Sequence, residues 1–221
     1  MSAVLFSGGL DSAVLLAQEL TTHPHPQPIH VRSGLAWEDA EARAIARLLA
    51  SAPFAGRVAP VATLSVDLSD VYPASHWAIR GTPPAYDTPD EDVYLDGRNI
   101  VLISKAAVLC ARLGIERLAI GTLAGNPFPD ATPEFFTTMA RALSLGLAHD
   151  IEIAAPFAGL HKSDVIRMGV ELVVALELTL SCMNPQEGRH CGQCSKCRER
   201  RDAFHHAGIA DPTSYAVAPL R

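Results

Sequence analysis

A chain of 221 residues with 48% apolar and 19% charged side chains has the composition of a soluble globular domain, long enough to bury a real core and to add at most a small appendage. Its formal charge of −6 and sequence pI near 5.8 give no support to nucleic-acid binding. No stretch reaches the ~20 apolar residues that span a bilayer. The apolar start Ala3-Val4-Leu5-Phe6 runs into a polar glycine loop rather than a signal peptide, so the cytoplasm is the expected compartment and no membrane partner is expected.

Residues 3–6 read as a strand, followed by the loop Ser7-Gly8-Gly9-Leu10-Asp11-Ser12 and a helix from Ser12 to Leu20 with no internal Gly or Pro. After a Pro- and His-rich loop, Pro28 to Arg32 reads as a second strand. Trp37 to Ala52 has helical spacing, and Val58 to Val66 forms a third strand region. Residues 69–99 break the alternation with four prolines (Pro73, Pro83, Pro84, Pro89) and many Asp, Thr and Tyr. Such a long irregular segment in an α/β domain is expected to line or cover a site. Asn99 to Leu113 is the next helix, Arg117 to Ile120 a strand, Gly121 to Pro133 a loop, and Glu134 to Gly146 a helix. Ile151 to Ala154 is a short strand and Ser163 to Met168 a short helix. Leu172 to Leu178 is apolar and of undecided type, Lys196 to Ala207 is a charged helix stopped by Gly208, and the tail from Ala210 is expected to be loose. Strands alternating with helices imply βαβ units: an open, mostly parallel sheet with helices on both faces. The expected division is an α/β domain over residues 1–180 and a small metal-binding segment with a C-terminal helix over 181–221.

Two features carry chemistry. In Ser7-Gly8-Gly9-Leu10-Asp11-Ser12, paired glycines between a strand and a helix let the backbone approach a ligand, and backbone N–H groups at the helix start make an anion site. Ser7 and Ser12 add hydroxyl donors. Asp11 would repel a bare anion; it fits if Mg²⁺ accompanies phosphates or if the carboxylate orients the loop. The Walker lysine pattern is absent. At the other end, Cys182, Cys191, Cys194 and Cys197 fall within sixteen residues. Four thiolates with two C-x2-C steps suit a closed structural Zn²⁺ site, with an iron–sulfur cluster as the other option. His190 beside the motif reads as a surface or supporting group, and Cys110, alone in an apolar run, as a small buried hydrophobe. Lys196, Arg198, Arg200 and Arg201 form either an RNA-binding patch or, as we prefer, a solvated helix beside a dianionic metal centre.

The glycine loop resembles the pyrophosphate loop of the ATP pyrophosphatases, which cleave ATP between the α and β phosphates. Together with the cysteine spacing, the chain resembles the 7-cyano-7-deazaguanine synthase branch over nearly its whole length. Leu95-Asp96-Gly97-Arg98-Asn99 matches that family's G-R-N segment, Asn126-Pro127-Phe128-Pro129-Asp130 its P-D element, and Pro156-Phe157 with His161-Lys162-Ser163-Asp164 its K-x-[ED] element. Two departures stand out. Arg32 to Glu38 replaces the family's Tyr-Gly-Gln stretch with its basic pair, and Ala131-Thr132 replaces Cys-Arg.

The resemblance implies an adenine nucleotide α-hydrolase-like fold. It implies conversion of 7-carboxy-7-deazaguanine and ammonia, with ATP, to the nitrile through an adenylated intermediate, and a homodimer. It places Ser7, Gly8, Gly9, Leu10, Asp11 and Ser12 on pyrophosphate and its Mg²⁺, and makes Arg98 and Lys162 cations for phosphate or carboxylate charge, with surface ion pairs as the alternative. Asn99 is either a helix N-cap or a ligand contact. Asp130 either reads the edge of a guanine-like ring or begins the following helix. Trp37, Trp77, Phe128 and Phe157 are stacking candidates or core, and Lys105 is a buried amine or a snorkelling surface lysine. His23, His25, His30, His205 and His206 have no catalytic spacing. The competing readings are an ATP pyrophosphatase acting on another acid or on tRNA, which would need an exposed thiol, and a non-catalytic zinc protein that binds nucleic acid.

Overall fold

A computed structural model describes residues 1–217. Five parallel strands lie in the order β3-β2-β1-β4-β5: β1 (Ser2–Leu5), β2 (Gln27–Arg32), β3 (Ala62–Ser65), β4 (Arg117–Ala119) and β5 (Glu152–Ala154). β1 carries a near-continuous apolar run because both faces of the sheet are covered, and β2, nearly as buried, adds Gln27 and His30 to its apolar residues. β1 is buried at every residue, whereas the edge strand β3 alternates between half-buried and exposed. Strand order reverses between β1 and β4, the place where open α/β sheets bind ligands beyond their carboxyl ends.

On one face lie α1 (Leu10–Thr22) and α2 (Glu38–Leu49). On this side α6 (Lys162–Glu171) packs over α1, and α7 (Ser195–Ala207) packs on α6. Being packed against both sheet and α6 makes α1 buried almost all round, from Leu10 through Ala17. Gly169 of α6 lies where an added Cβ would stand 2.8 Å from Val14, so the α1–α6 approach needs a glycine there. On the opposite face α4 (Arg98–Leu113) buries Ile103, Ala106, Ala107 and Cys110 at helical spacing beside α5 (Pro133–Leu147). Gly114 and Gly208 end α4 and α7 in the left-handed conformation.

The irregular stretch 69–99 contains a one-turn helix, α3 (Trp77–Arg80), and a 3₁₀ turn at Asp90–Val93. Tyr72, Ala78, Val93 and Leu95 from this stretch form a small second core with Leu35, Trp37, Leu68 and Met183. The stretch is therefore a packed wall, not a slack connection. The apolar run after α6 resolves into a 3₁₀ turn at Leu176–Leu178.

The tail departs from its expected looseness. Residues 214–217 lie beside the cysteine segment: the His190 amide donates to the Ser214 carbonyl (3.0 Å) and the Ala216 amide to the His190 carbonyl (2.7 Å). Tyr215 and Thr213 both donate their hydroxyls to Asp211. The composition hid this because the tail is held by backbone pairing, which leaves no mark on residue type. Residues 218–221 of that same expectation lie outside the described residues.

Gly192 makes the pairing possible. Its φ is +81°, and a Cβ there would stand 2.2 Å from the Val217 carbonyl oxygen. Gly192→Ala is therefore expected to lower unfolding stability by about 1–3 kcal/mol, through left-handed strain and overpacking. Urea unfolding of the zinc-loaded variant checks this, and a loss under about 0.5 kcal/mol would show that the tail does not need the glycine.

Candidate active site

The glycine loop joins β1 to α1 at the switch point. Gly8 sits at φ +74°, and an added Cβ would meet Ile45 of α2 at 3.0 Å. Its carbonyl accepts from the Leu180 amide (2.9 Å), which ties the loop to the cysteine segment. Gly9 is the N-cap of α1 and offers no side-chain cap, so the first amides of the helix keep their donors for a ligand. Ser7 Oγ accepts from the Gly9 amide (3.3 Å), and Ser12 Oγ donates to the Gly9 carbonyl (3.0 Å). Leu10 is fully buried in the core, so only its backbone faces the loop's ligand side.

Asp11 and Lys162, far apart in sequence, meet here. Lys162 Nζ lies 3.2 Å from Asp11 and 2.5 Å from Glu199, and Lys196 Nζ lies 2.7 Å from the other Glu199 oxygen. Burial opposes charge on Lys162, but the Asp11 and Glu199 carboxylates outweigh it and raise its pKa, so the amine stays an ammonium. Burial likewise works against the Glu199 charge, yet Lys162 and Lys196 hold its pKa down to about 2. Burial raises the Asp11 pKa, with Lys162 opposing. Asp11 keeps one buried oxygen, Oδ1, without a hydrogen-bond partner among the described residues. A carboxylate oxygen left free beside uncapped helix amides fits a divalent cation held with phosphates.

Two adjoining chambers open at the switch point. The larger, 380 Å³, is walled by Trp37, Trp77, Leu95 and Phe128 together with Asp11, Lys162 and Glu199. The smaller, 250 Å³, reaches down to β2 and β4 and includes His30, Arg98 and Thr122. Among the described residues, Asp11, His30, Arg98 and Thr122 each leave a buried polar atom without a hydrogen-bond partner. Four such atoms in one chamber are what a polar ligand would satisfy. Trp37 and Trp77 are stacked at 5.8 Å and 8°, and Tyr94 stacks on Phe128 at 5.0 Å, giving the larger chamber flat aromatic walls.

Asp130 does not line either chamber. It is buried on a 3₁₀ turn, where Oδ2 accepts from the Asn99 amide (2.9 Å) and Oδ1 from the Asn99 side chain (3.3 Å). The carboxylate therefore serves the N-terminus of α4, whose N-cap, Gly97, has no side chain of its own. In this structure both carboxylate oxygens of Asp130 are thus taken up by Asn99. Asn99 is neither N-cap nor free; it is the second residue of α4 and the partner of Asp130. Phe157 is fully buried in the core, away from the chambers, and Lys105 is exposed. Cys110 is buried and its thiol is pushed up to about 12, so it is no reactive thiolate.

The Cys182, Cys191, Cys194 and Cys197 sulfurs all lie within 4.8 Å of one another. Three of the separations are 3.5, 3.8 and 4.0 Å, against edges of about 3.8 Å for a tetrahedron of ~2.3 Å Zn–S bonds. The amides of Asn184 and Cys191 donate to the Cys182 sulfur and that of Gln193 to the Cys191 sulfur, which favours thiolates. The cluster fits zinc. His190 is buried, not on the surface; burial and Arg200 lower its pKa to about 3, and its neutral ring accepts from the Ser181 amide (3.0 Å).

The cations of α7 are not a solvated patch. Arg200 is fully buried and donates to Thr213, Thr179, Ser181 and the Leu176 carbonyl. Arg201 lies over the Tyr86 ring, Arg198 faces Asp90 at 3.8 Å, and Lys196 holds Glu199. Sequence reasoning missed His30, Glu41, Thr122 and Glu199 as cleft residues. The only trace of Glu41 in the sequence is an acid four residues after Trp37, on the inward face of a helix.

A family model described as queuosine biosynthesis protein QueC matches residues 1–208. The chain is 34% identical over 225 residues to the 7-cyano-7-deazaguanine synthase of Anaeromyxobacter dehalogenans, covering 97% of this chain and 95% of that one. It is 35% identical over 231 residues to the enzyme of the same name from Azoarcus sp., covering 97% and 96%. Among solved structures, a 4-thiouridine synthetase in complex with RNA and ATP matches with a TM-score of 0.50 at 16% identity, over 94% of this chain and 51% of that one. At that identity the likeness speaks to the fold alone, which is adenine nucleotide α-hydrolase-like.

Two expectations follow from this geometry. Metal analysis should find about one zinc per chain, and Cys194→Ser should lose the metal and much of the melting temperature together, because metal binding is folding free energy here. A variant that loses the zinc and melts unchanged would make the cluster dispensable to the fold. Asp130→Ala should cost about 0.5–2 kcal/mol in urea unfolding, as loss of a helix cap does. Unchanged stability with a selective loss of acceptor use would return Asp130 to the substrate.

Proposed function

This chain belongs to the family of queuosine biosynthesis protein QueC, and on that premise we propose that it is an ATP-dependent carbon–nitrogen ligase that converts 7-carboxy-7-deazaguanine and ammonia to 7-cyano-7-deazaguanine. The observation that supports the reading on this chain's own residues is the set of partnerless buried atoms of Asp11, His30, Arg98 and Thr122 in one chamber at the switch point.

The chemistry has two activations. A carboxylate oxygen leaves poorly and AMP leaves well, so the substrate carboxylate attacks the α-phosphate of ATP and pyrophosphate departs. Ammonia then displaces AMP to give an amide, and a second ATP activates the amide oxygen so that its loss leaves the nitrile. In the proposed arrangement the uncapped amides of α1 and the Ser7 and Ser12 hydroxyls hold the departing pyrophosphate. Gly8 and Gly9 let it come close to the backbone. Mg²⁺, held through the free oxygen of Asp11, would neutralise charge on the phosphates. Lys162, beside Asp11, and Arg98, in the same chamber wall, supply the cations. The smaller chamber suits the nucleoside of ATP, and the larger chamber, between Trp77 and Phe128, suits the flat acceptor ring.

A thiol-dependent reaction on tRNA finds no support, since Cys110 is buried and the other cysteines converge on one centre. A homodimer in the cytoplasm is part of the same proposal and rests on the family resemblance.

ATP should be split to AMP and pyrophosphate, and only in the presence of the acceptor carboxylate. ADP and phosphate as sole products would sink the proposal. Asp11→Asn should lower turnover by about 10²-fold or more with a melting temperature near that of the parent; an equally active variant would remove Asp11 from the phosphate site.

A further inference from the structure

Glu41 is unexplained by the fold. It lies on α2, is 7% exposed, and lines both chambers. Among the described residues its carboxylate has one hydrogen-bond partner, the Trp37 indole N–H, at 3.2 Å. The charged groups that face it are Arg98 from α4, which favours its charge, and Glu38 from its own helix, which opposes it. Burial dominates both and raises its pKa to about 7. A buried carboxylate held by one neutral donor is a poor structural element. A glutamine would satisfy the same indole without a charge. The position therefore points to a task that needs an acid whose proton comes and goes near neutral pH.

The neighbours of Glu41 narrow the task. Trp37 and Trp77 stack in parallel, and both line the larger chamber beside it. Trp37 presents its N–H edge to Glu41, so the carboxylate faces a chamber wall from which water is largely excluded, where its charge attracts a small cation. Near neutral pH the ammonia pool is mainly ammonium, which has no lone pair with which to attack.

We propose that Glu41, with Trp37 and Trp77, forms the site that receives ammonium and takes its proton; this rests on the amination proposed above. Ammonium gives one proton to Glu41 and becomes ammonia. The nitrogen lone pair forms the bond to the acyl carbon, and the bond from that carbon to the AMP oxygen breaks with its electrons on AMP. The attacking nitrogen, now cationic, gives its second proton to the AMP phosphate, leaving the amide. Glu41 then loses its proton to solvent for the next turnover.

The test separates activation from amination in the zinc-loaded protein. Acceptor-dependent exchange of pyrophosphate into ATP reads activation; amide formation from ammonium, and hydroxamate formation from hydroxylamine, read nucleophile capture. Hydroxylamine is already neutral near pH 7 and needs no prior deprotonation. Glu41→Gln should keep exchange within a few-fold and lose about 10²-fold or more in amide formation from ammonium, while hydroxamate formation falls far less. The parent's rate with ammonium should level off above about pH 7, once Glu41 is ionised, whereas the variant's should follow free ammonia and keep climbing well above that pH. Glu41→Asp should recover part of the rate. Equal losses with both nucleophiles, or a loss of exchange as large as the loss of amidation, would overturn the assignment. Absence of acceptor-dependent exchange in the parent would instead overturn the ligase reading itself.

Discussion

Bringing four thiols within 4.8 Å of one another is the constraint on which the rest of the cleft depends. Three of those thiols sit at or beside the start of α7, so closing the centre fixes where that helix begins. Glu199 lies two residues beyond Cys197 and so is fixed as well. Glu199 grips Lys162 at 2.5 Å, and Lys162 reaches Asp11 of the glycine loop. On the other side of the cluster, Leu180, two residues before Cys182, donates to the Gly8 carbonyl. A four-cysteine centre at the edge of the cleft thereby sets both the backbone and the charge of the glycine loop. Buried Arg200 strengthens the tie by holding the Leu176 turn, Ser181 and Thr213 at once. Its guanidinium replaces water with four protein acceptors, which is what a fully buried cation needs.

The charge of the molecule as a whole is misleading at this point. A chain of net charge −6 is a poor host for a nucleotide if the charge is spread evenly. Here Lys162 and Lys196 offset Asp11 and Glu199 locally, and Arg98 adds a further cation at the mouth of α4. Short-range arrangement outweighs the total, because separations near 3 Å are screened far less than the width of the protein.

The fold and the two ends of the site were legible in sequence for physical reasons. Fully buried strands such as Ala3 to Phe6 leave unbroken apolar runs, and α4 repeats its apolar residues at helical spacing. The glycine loop and the cysteines were legible because only glycine tolerates Gly8's turn and only thiols at short spacing close a metal shell. The rest depended on contacts that spacing does not encode. Asp130 and Asn99 lie thirty-one residues apart and look like two ligands until the cap joins them. The cations of α7 read as a solvated face, and the side each one takes depends on where α6 and the 69–99 wall pack. His30 within β2 and Thr122 just beyond β4 look ordinary in the sequence; their unpartnered atoms appear only when the two elements face one chamber.

Asp11 and Glu41 show how one cleft divides its acid work. Burial raises the pKa of both carboxylates. Asp11 has Lys162 at 3.2 Å, a fixed cation that favours the ionised form and leaves one oxygen free for a metal. Glu41 has only an indole N–H in contact, with Arg98 and Glu38 acting through space in opposite directions, so it stays near the point where both forms are populated. Two like groups are thereby placed against unlike neighbours, one against a fixed cation and the other against a neutral donor. That difference is what the proposed amination would use, holding phosphate charge beside Lys162 while a proton from nitrogen moves to Glu41.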